Sequence, residues 1–548
     1  MTPEQLAAAV AAALEDLVAA GDLAVEVPGE VRVERPRGRE HGDWSTNVAL
    51  QLAKQAGMPP RALAEKLAAR LGQEGGIASV DVAGPGFLNI TLDAASAGQL
   101  ARSIVEQGAA YGTNGALAGH VVNLEFVSAN PTGPLHIGHT RWAALGDSLR
   151  RLLAASGATV VAEHYTNDAG AQMDKFGASI VARARGTEVP EGGYPGEYVD
   201  DLAQQLLRER PDLLELPEAE AVALARERGY ELQMAQVRQT LDTFNVGFDV
   251  WFSERSLHDA GAVTDAVARL RDQGHVYDQD GAVWLRTTDF GDDRDRVLVR
   301  ANGQPTYFAA DAAYYLSKKD RGFPEKIYLL GADHHGYVNR LKAIAACAGD
   351  DPERNIEVLI GQLITIRGER MGKRRGNAVY LSDLLEWIGA DPLRYSLARY
   401  PADSPLDLDG EEIQRRSTDN PVFYVQYAHA RTCNVARLAH EDGVHTAEGF
   451  DPSLLTHPTE AVLLAALGDF PRVVSQAATL REPHRVARYL ENLASGFHKW
   501  YDECRVRPGS ADEDVTDLHR TRLWLNNATR QVLANGLALL GVSAPERM

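Results

Sequence analysis

Residues 121–150 read VVNLEFVSAN PTGPLHIGHT RWAALGDSLR, and the rest of the chain is organised around them. Val121 to Val127 is an apolar run with a β-branched pair and reads as a buried strand. Pro131-Thr132-Gly133-Pro134 can neither continue a strand nor begin a long helix. His136-Ile137-Gly138-His139 follows, and Trp142 to Leu152 shows helical spacing. Strand, glycine turn and helix start together present backbone N–H groups to a phosphate. The stretch has neither the GxxxxGK[ST] of a phosphate loop nor the GxGxxG of a dinucleotide fold. The two imidazoles must therefore supply donors that glycine-rich loops usually supply.

Around this stretch lie 548 residues, too many for one core, so three or more domains are expected. A hydrophobic content of 45% and a charged content of 24% fit a soluble globular protein. No apolar run reaches membrane-spanning length, and Met1-Thr2-Pro3-Glu4-Gln5 has neither the basic start nor the apolar core of a signal peptide. Cys347, Cys433 and Cys504 lie far apart, which offers no disulfide framework and no zinc pattern. A cytoplasmic location is expected. The formal net charge of −20 argues against a protein that coats nucleic acid non-specifically. Two local basic strips still suit an RNA backbone or a solvated face. They are Arg32, Arg35, Arg37 and Arg39, and Arg370, Lys373, Arg374 and Arg375.

Upstream, Thr2-Pro3-Glu4-Gln5 starts an alanine-rich helix that ends at Gly21. A second helix runs from about Pro60 to Leu71, and strand-like pieces follow at Val80 to Ala83 and Phe87 to Leu92. This predicts a small α+β module over residues 1–112. Downstream, Thr159 to His164 reads as a strand running into Asn167-Asp168-Ala169-Gly170. Residues of about 174–300 read as an insertion between two halves of a nucleotide-binding sheet. The second half brings Tyr307 to Asp311, a buried strand from Lys326 to Leu330, then Gly331-Ala332-Asp333-His334-His335. Strands Glu357 to Gln362 and Leu363 to Ile366 lead to Arg370-Met371-Gly372-Lys373-Arg374. Polar groups cluster after several strands, and ligands of open α/β sheets sit at strand carboxyl ends, so one shared pocket is expected. From about Asp407 the pattern is helical, and Tyr424, Tyr427, Ala428 and Arg431 share a helix face. Aromatic rings interleaved with arginine suit stacking on unpaired bases.

The His136-Ile137-Gly138-His139 stretch after a Pro/Gly turn, with a later basic Met371-Gly372-Lys373 loop, resembles the class I aminoacyl-tRNA synthetases. The flanks Glu125-Phe126-Val127-Ser128-Ala129-Asn130-Pro131 and Asn167-Asp168-Ala169-Gly170-Ala171-Gln172 resemble the arginyl family. So do Tyr307 with Asp311, Gly331-Ala332-Asp333-His334-His335, the stretch from Asn420-Pro421 to Arg431, and the terminal Pro545-Glu546-Arg547-Met548. The resemblance spans essentially the whole chain. One departure is that the second signature, usually KMSKS, here reads Arg370-Met371-Gly372-Lys373-Arg374.

The resemblance implies an α/β multidomain protein. A Rossmann-like parallel-sheet catalytic domain would span residues 113–400, with the connective region inserted, and an all-α anticodon-binding bundle residues 401–548. It implies ATP-dependent activation of L-arginine and transfer to the 2′-hydroxyl of tRNA(Arg), with Mg²⁺ sharing the phosphate charge and a monomer as the working unit. His136, His139 and Lys373 would be catalytic. ATP would meet His136, Gly138, His139, His335, Met371 and Lys373. Arginine would meet Glu125, Ser128, Asn130, His136, Tyr307, Asp311 and His334. Of these, Glu125 and Asp311 are the acids for a guanidinium that offers five donors and no acceptor. tRNA would meet Phe87, Asn89, Tyr424, Tyr427, Arg431 and Met548. The alternative is a synthetase-derived RNA-binding protein without catalysis, which loss of the signature histidines would favour; both are present.

Overall fold

The computed structural model describes residues 3–29, 31–36, 41–367, 379–447, 449–510 and 512–548. Thr2, Arg37, Arg39 and the whole second signature, Arg370 to Arg375, lie outside the described residues.

The chain opens with helix Pro3–Ala19, β1 (Trp44–Thr46), helices Val48–Ala56 and Pro60–Leu71, then β2 (Ile77–Ala83) and β3 (Phe87–Leu92). β3 lies between β1 and β2, antiparallel to both. Leu6, Val10, Leu14, Leu63, Leu67, Leu88 and Ile90 form a core of their own. That core stops at Leu92. Helix Ala94–Gln107, which the expected boundary at 112 gives to this module, instead buries Leu100, Ala101 and Ile104 in the main core. Arg35 is a bridge between parts. It stacks on Trp44 at 3.8 Å and donates to the carbonyls of Asp43 and, far along the chain, Ala465.

The central sheet takes β4 (Val121–Glu125), β5 (Thr159–Thr166) and β6 (Val250–Ser253). A separate antiparallel sheet of β7 (Val276–Gln279), β8 (Ala282–Leu285) and β9 (Arg296–Val299) follows. The chain then returns with β10 (Glu325–Gly331) and β11 (Ile356–Gly361). The central order is β11-β10-β4-β5-β6, all parallel. β4 sits in the middle. The chain winds outward through β5 and β6, then crosses back to β10 and β11. Such a sheet opens a crevice where the winding reverses, between the carboxyl ends of β4 and β10.

Two expectations change here. The 174–300 insertion is not one block, because Val250 to Ser253 pairs in parallel with Glu163 to Thr166 and completes the central sheet. The short aromatic run hid this strand inside a helical, charged context. β12 (Ile364–Arg367) and β13 (Leu406–Asp409) form a parallel pair, so the helical region begins after β13 rather than at Asp407.

Helix Ile137–Ala155 is buried along most of its length, and one continuous core runs from Leu100 through this helix to Val542. The C-terminal helices Pro421–Glu441, His484–Glu503 and Asp517–Leu539 therefore share a core with the central sheet. A buried ion pair fastens them. Arg394 meets Asp147 at 2.7 Å with neither side chain exposed, and donates to the carbonyls of Phe244, Asn245 and Leu540.

Candidate active site

β4 stops at Glu125 because Val127 and Ser128 turn the backbone to φ 69° and 38°. A non-glycine residue pays roughly 1–3 kcal/mol for such a conformation. Three hydrogen bonds hold the turn. Ser128 Oγ donates to Glu125 Oε1 at 3.0 Å and accepts from the Tyr165 N–H at 3.2 Å, and the Ala129 N–H donates to His164 Nε2 at 3.5 Å. His164 is fully buried, and that burial pulls its imidazole down to about 3. The turn carries the chain to exposed Asn130 and the Pro/Gly segment.

His136 caps helix Ile137–Ala155. Its Nδ1 accepts from the Gly138 N–H at 3.1 Å, while His139 Nδ1 accepts from the His136 N–H at 3.3 Å. The rings lie 3.9 Å apart. Burial, and then the neighbouring His136, pull His139 down to about 3, so this imidazole is neutral. With Nδ1 accepting in both rings, the ring N–H of each lies at Nε2. Gly138 is required sterically, since a Cβ there would lie 2.8 Å from His136 Cε1. Gly133 also leaves room for a neighbour: a Cβ there would meet, at 3.0 Å, the Tyr198 hydroxyl, which donates to the Thr132 carbonyl. The far end of the second signature loop returns here: Ile137 N–H donates to the Val379 carbonyl at 2.9 Å and Leu381 N–H to Leu135 at 2.7 Å. Met371 and Lys373 themselves lie outside the described residues.

A group of acids gathers around helix Tyr307–Asp320. Helix Tyr307–Asp320, capped by Thr306, places Tyr307 at its exposed first position and Asp311 one turn deeper. Burial, then the charges of Glu254 and Glu125, push Asp311 up to about 7, against a hydrogen bond from Tyr337. Glu254, at the end of β6, is buried at 4% exposure. The Tyr165 hydroxyl hydrogen-bonds it, and burial and that acid hold the phenol protonated. A cavity of about 740 Å³ is lined by Glu254, Tyr307, Ala310, Thr306 and Asp168, with Arg226, Arg255 and Arg300 among its other walls. Glu125 sits in the same electrostatic neighbourhood, but Lys318 donates to its Oε2 at 2.6 Å. Glu254 and Lys318 were not singled out from the sequence. Glu254 opens the short helix that directly follows β6, the strand the helical context hides, and Lys318 is the third-last residue of its helix, where a lysine usually reaches solvent.

His334 is exposed on the turn Ala332–Tyr337 after β10, and His335 shares that turn. Among the described residues no three His, Cys, Asp or Glu side chains gather to hold a metal ion.

Away from the pocket, Phe87 is 40% exposed at the tip of β3, whereas Asn89 is buried within the three-stranded sheet. On helix Pro421–Glu441, Tyr427, Arg431 and the terminal Met548 line a second cavity of about 1260 Å³, together with Arg437, Arg530 and Arg547. Arg431 donates to His498 Nδ1 at 3.3 Å and lies 4.3 Å from the Tyr501 ring. Tyr424 and Tyr427 both pack on His498, at 5.2 and 5.7 Å between centroids, but Tyr424 is not part of that cavity wall.

The fold is that of a class I aminoacyl-tRNA synthetase: the family model "tRNA synthetases class I (R), catalytic domain" matches residues 214–390. "Arginyl tRNA synthetase N terminal domain" matches residues 4–92 and "DALR anticodon binding domain" residues 425–548. Proteins named arginine–tRNA ligase from Pseudarthrobacter chlorophenolicus and Renibacterium salmoninarum are 64% and 65% identical, each over 100% of both chains. A solved structure described as a putative arginyl-tRNA synthetase from Campylobacter jejuni superposes at a TM-score of 0.76, with 31% identity over 83% of this chain and 100% of the other. This chain belongs to the arginyl-tRNA synthetase family.

Proposed function

We propose that the protein ligates L-arginine to tRNA(Arg) in two steps. The arginine carboxylate attacks the α-phosphate of ATP, forming arginyl-adenylate and releasing pyrophosphate. The 2′-hydroxyl of the terminal tRNA adenosine then attacks the adenylate carbonyl and AMP leaves. The observation that carries this reading is that Asp311 feels the charges of Glu254 and Glu125, in a fold whose central strand runs into a helix start bearing two imidazoles.

The guanidinium lies between Asp311 and Glu254, with Tyr307 as a flat wall. A charged hydrogen bond contributes roughly 1.5–3 kcal/mol, and buried acids left unmatched reject a neutral isostere by roughly 10⁴-fold or more. Glu125 was expected to be one of these acids. Its charge is already matched by Lys318, so Glu254 takes that role and Glu125 holds the α-amino end with Ser128, Asn130 and His334. The Nε2–H groups of His136 and His139 donate to the phosphate oxygens as charge develops there, which is where preorganised donors act most strongly. Gly138, His335, Met371 and Lys373 complete the ATP contacts by the family pattern. Mg²⁺ enters with the ATP phosphates, as that ion usually does at such sites.

The N-terminal module, whose own core ends at Leu92, meets the tRNA elbow through Phe87, with Asn89 beside it. The helical region after β13 meets the anticodon loop through Tyr427, Arg431 and Met548, with Tyr424 behind them. The catalytic region lies between the two. The enzyme works as a cytoplasmic monomer; no helix among the described residues is long and apolar enough to cross a membrane. The intact imidazole pair favours this reading over a non-catalytic RNA binder. The test is a charging assay with ATP, Mg²⁺, total tRNA and each amino acid in turn. Label retained with arginine alone supports the reading, and no label with any amino acid refutes it.

A further inference from the structure

We propose that Asp168 is a positioning residue that sets the specificity for arginine by aiming Glu254. The inference rests on the reading of Glu254 as a guanidinium partner. Asp168 follows β5 and is 3% exposed. Its Oδ2 accepts from Ser253 Oγ at 2.6 Å and its Oδ1 accepts from the Arg255 N–H at 2.9 Å. These two residues flank Glu254 on either side. The helix Glu254–Asp259 has six residues, and its own N-cap, Ser253, makes no capping hydrogen bond. A helix this short is marginal alone, and here its first turn is capped from a neighbouring strand. The Arg255 guanidinium closes the arrangement, donating to the Asp168 carbonyl at 3.3 Å and to Glu227 at 2.8 Å. Tyr230 adds its hydroxyl to the Asp168 carboxylate.

From the same strand end, Tyr165 hydrogen-bonds the Glu254 carboxylate itself. Two residues three apart on the chain thus fix both the backbone and the side chain of Glu254. A buried carboxylate selects a guanidinium only if its oxygens are held in the donor plane, because bidentate pairing is strongly directional. Asp168 needs no contact with arginine to do this.

The test measures KM for arginine and for ATP separately in the full-length enzyme, with equilibrium arginine binding alongside. Asp168→Ala raises the arginine KM at least tenfold and leaves the ATP KM within twofold. Asp168→Asn stays within about threefold of the parent, because the amide oxygen still accepts from Arg255 and the amide nitrogen can donate to Ser253 Oγ. Ser253→Ala, which removes one of the two anchors, gives a smaller rise for arginine alone and serves where Asp168→Ala does not fold. Most tellingly, Asp168→Ala adds less than twofold on a Glu254→Gln background, since neighbours acting through one group are non-additive. Multiplicative losses, or equal rises in both KM values for Asp168→Ala and Ser253→Ala, overturn the proposal while leaving Glu254 in place. An unchanged arginine KM in Glu254→Gln alone overturns the pocket reading instead.

Discussion

Lys318 Nζ lies 2.6 Å from Glu125 Oε2, with side-chain exposures of 0% and 9%. The rings of Tyr314 and Tyr328 flank the ammonium at 4.5 and 4.0 Å. Removing one partner of such a pair leaves the other charged and unmatched, which costs about 3–5 kcal/mol. Lys318→Met is expected to lower unfolding stability by that amount in urea titrations. Adding Glu125→Gln should recover part of it. A loss below about 1 kcal/mol would mean that water reaches Glu125.

The raised Asp311 gives arginine binding a pH dependence. The guanidinium pairs with the ionised acid, and in the free enzyme that form becomes dominant only as pH rises through about 7. Affinity should therefore be about tenfold weaker at pH 6 than at pH 8, one pKa unit being tenfold. It should flatten above pH 8. Calorimetric titration of arginine across this range reads it directly. Asp311→Asn should remove the slope and weaken arginine far more than ATP. A flat profile in the parent enzyme would show that Asp311 is ionised before arginine arrives.

Gly138→Ala puts a Cβ where the His136 ring now lies, 2.8 Å from Cε1. The ring must swing away, and its donor leaves the phosphate site. Loss of one preorganised donor typically costs about 10²–10³-fold in turnover, so a fall of at least 10²-fold in kcat is expected. The position is exposed, so the melting temperature should hold. Undiminished turnover by this variant would remove His136 from the chemistry.

At the other end of the molecule, Tyr427 is 38% exposed in the wall of the C-terminal cavity. A base stacked on an aromatic ring is worth about 1–3 kcal/mol. Tyr427→Ala should weaken tRNA binding about 5-fold to 100-fold, with the KM for arginine and ATP unchanged. Filter binding reads the Kd. Tyr424→Ala should instead destabilise the bundle, because its ring packs against the main core. Identical tRNA affinity in Tyr427→Ala would make this face a structural one.

Much of the architecture is legible from local signals. Helix Pro60–Leu71 keeps its expected bounds because proline at the first turn and glycine at the end act within a few residues. β4, β5 and β10 each carry a short apolar run, residues 121–122, 160–162 and 327–330, of the kind that strands covered on both faces use. The apolar run overshoots at Val127 because the positive φ there is imposed by Ser128, Glu125, Tyr165 and His164 together. No window of neighbouring residues carries that information. Arg35 shows the same limit, since its partner at Ala465 lies 430 positions away.

The sequence alone determined the helix start, the imidazole pair, the order of strand and turn, and the family to which the chain belongs. Each depends on residue types within a few positions, where backbone geometry and capping chemistry are decided. Tertiary structure alone decided which acids come near one another. Asp311 feels the charges of Glu254 and Glu125, Glu125 is answered by Lys318, and Glu254 arrives through a strand pairing with β5. Charges find their partners through space, across hundreds of residues, and the free energy of a buried carboxylate depends on those partners rather than on its place in the chain.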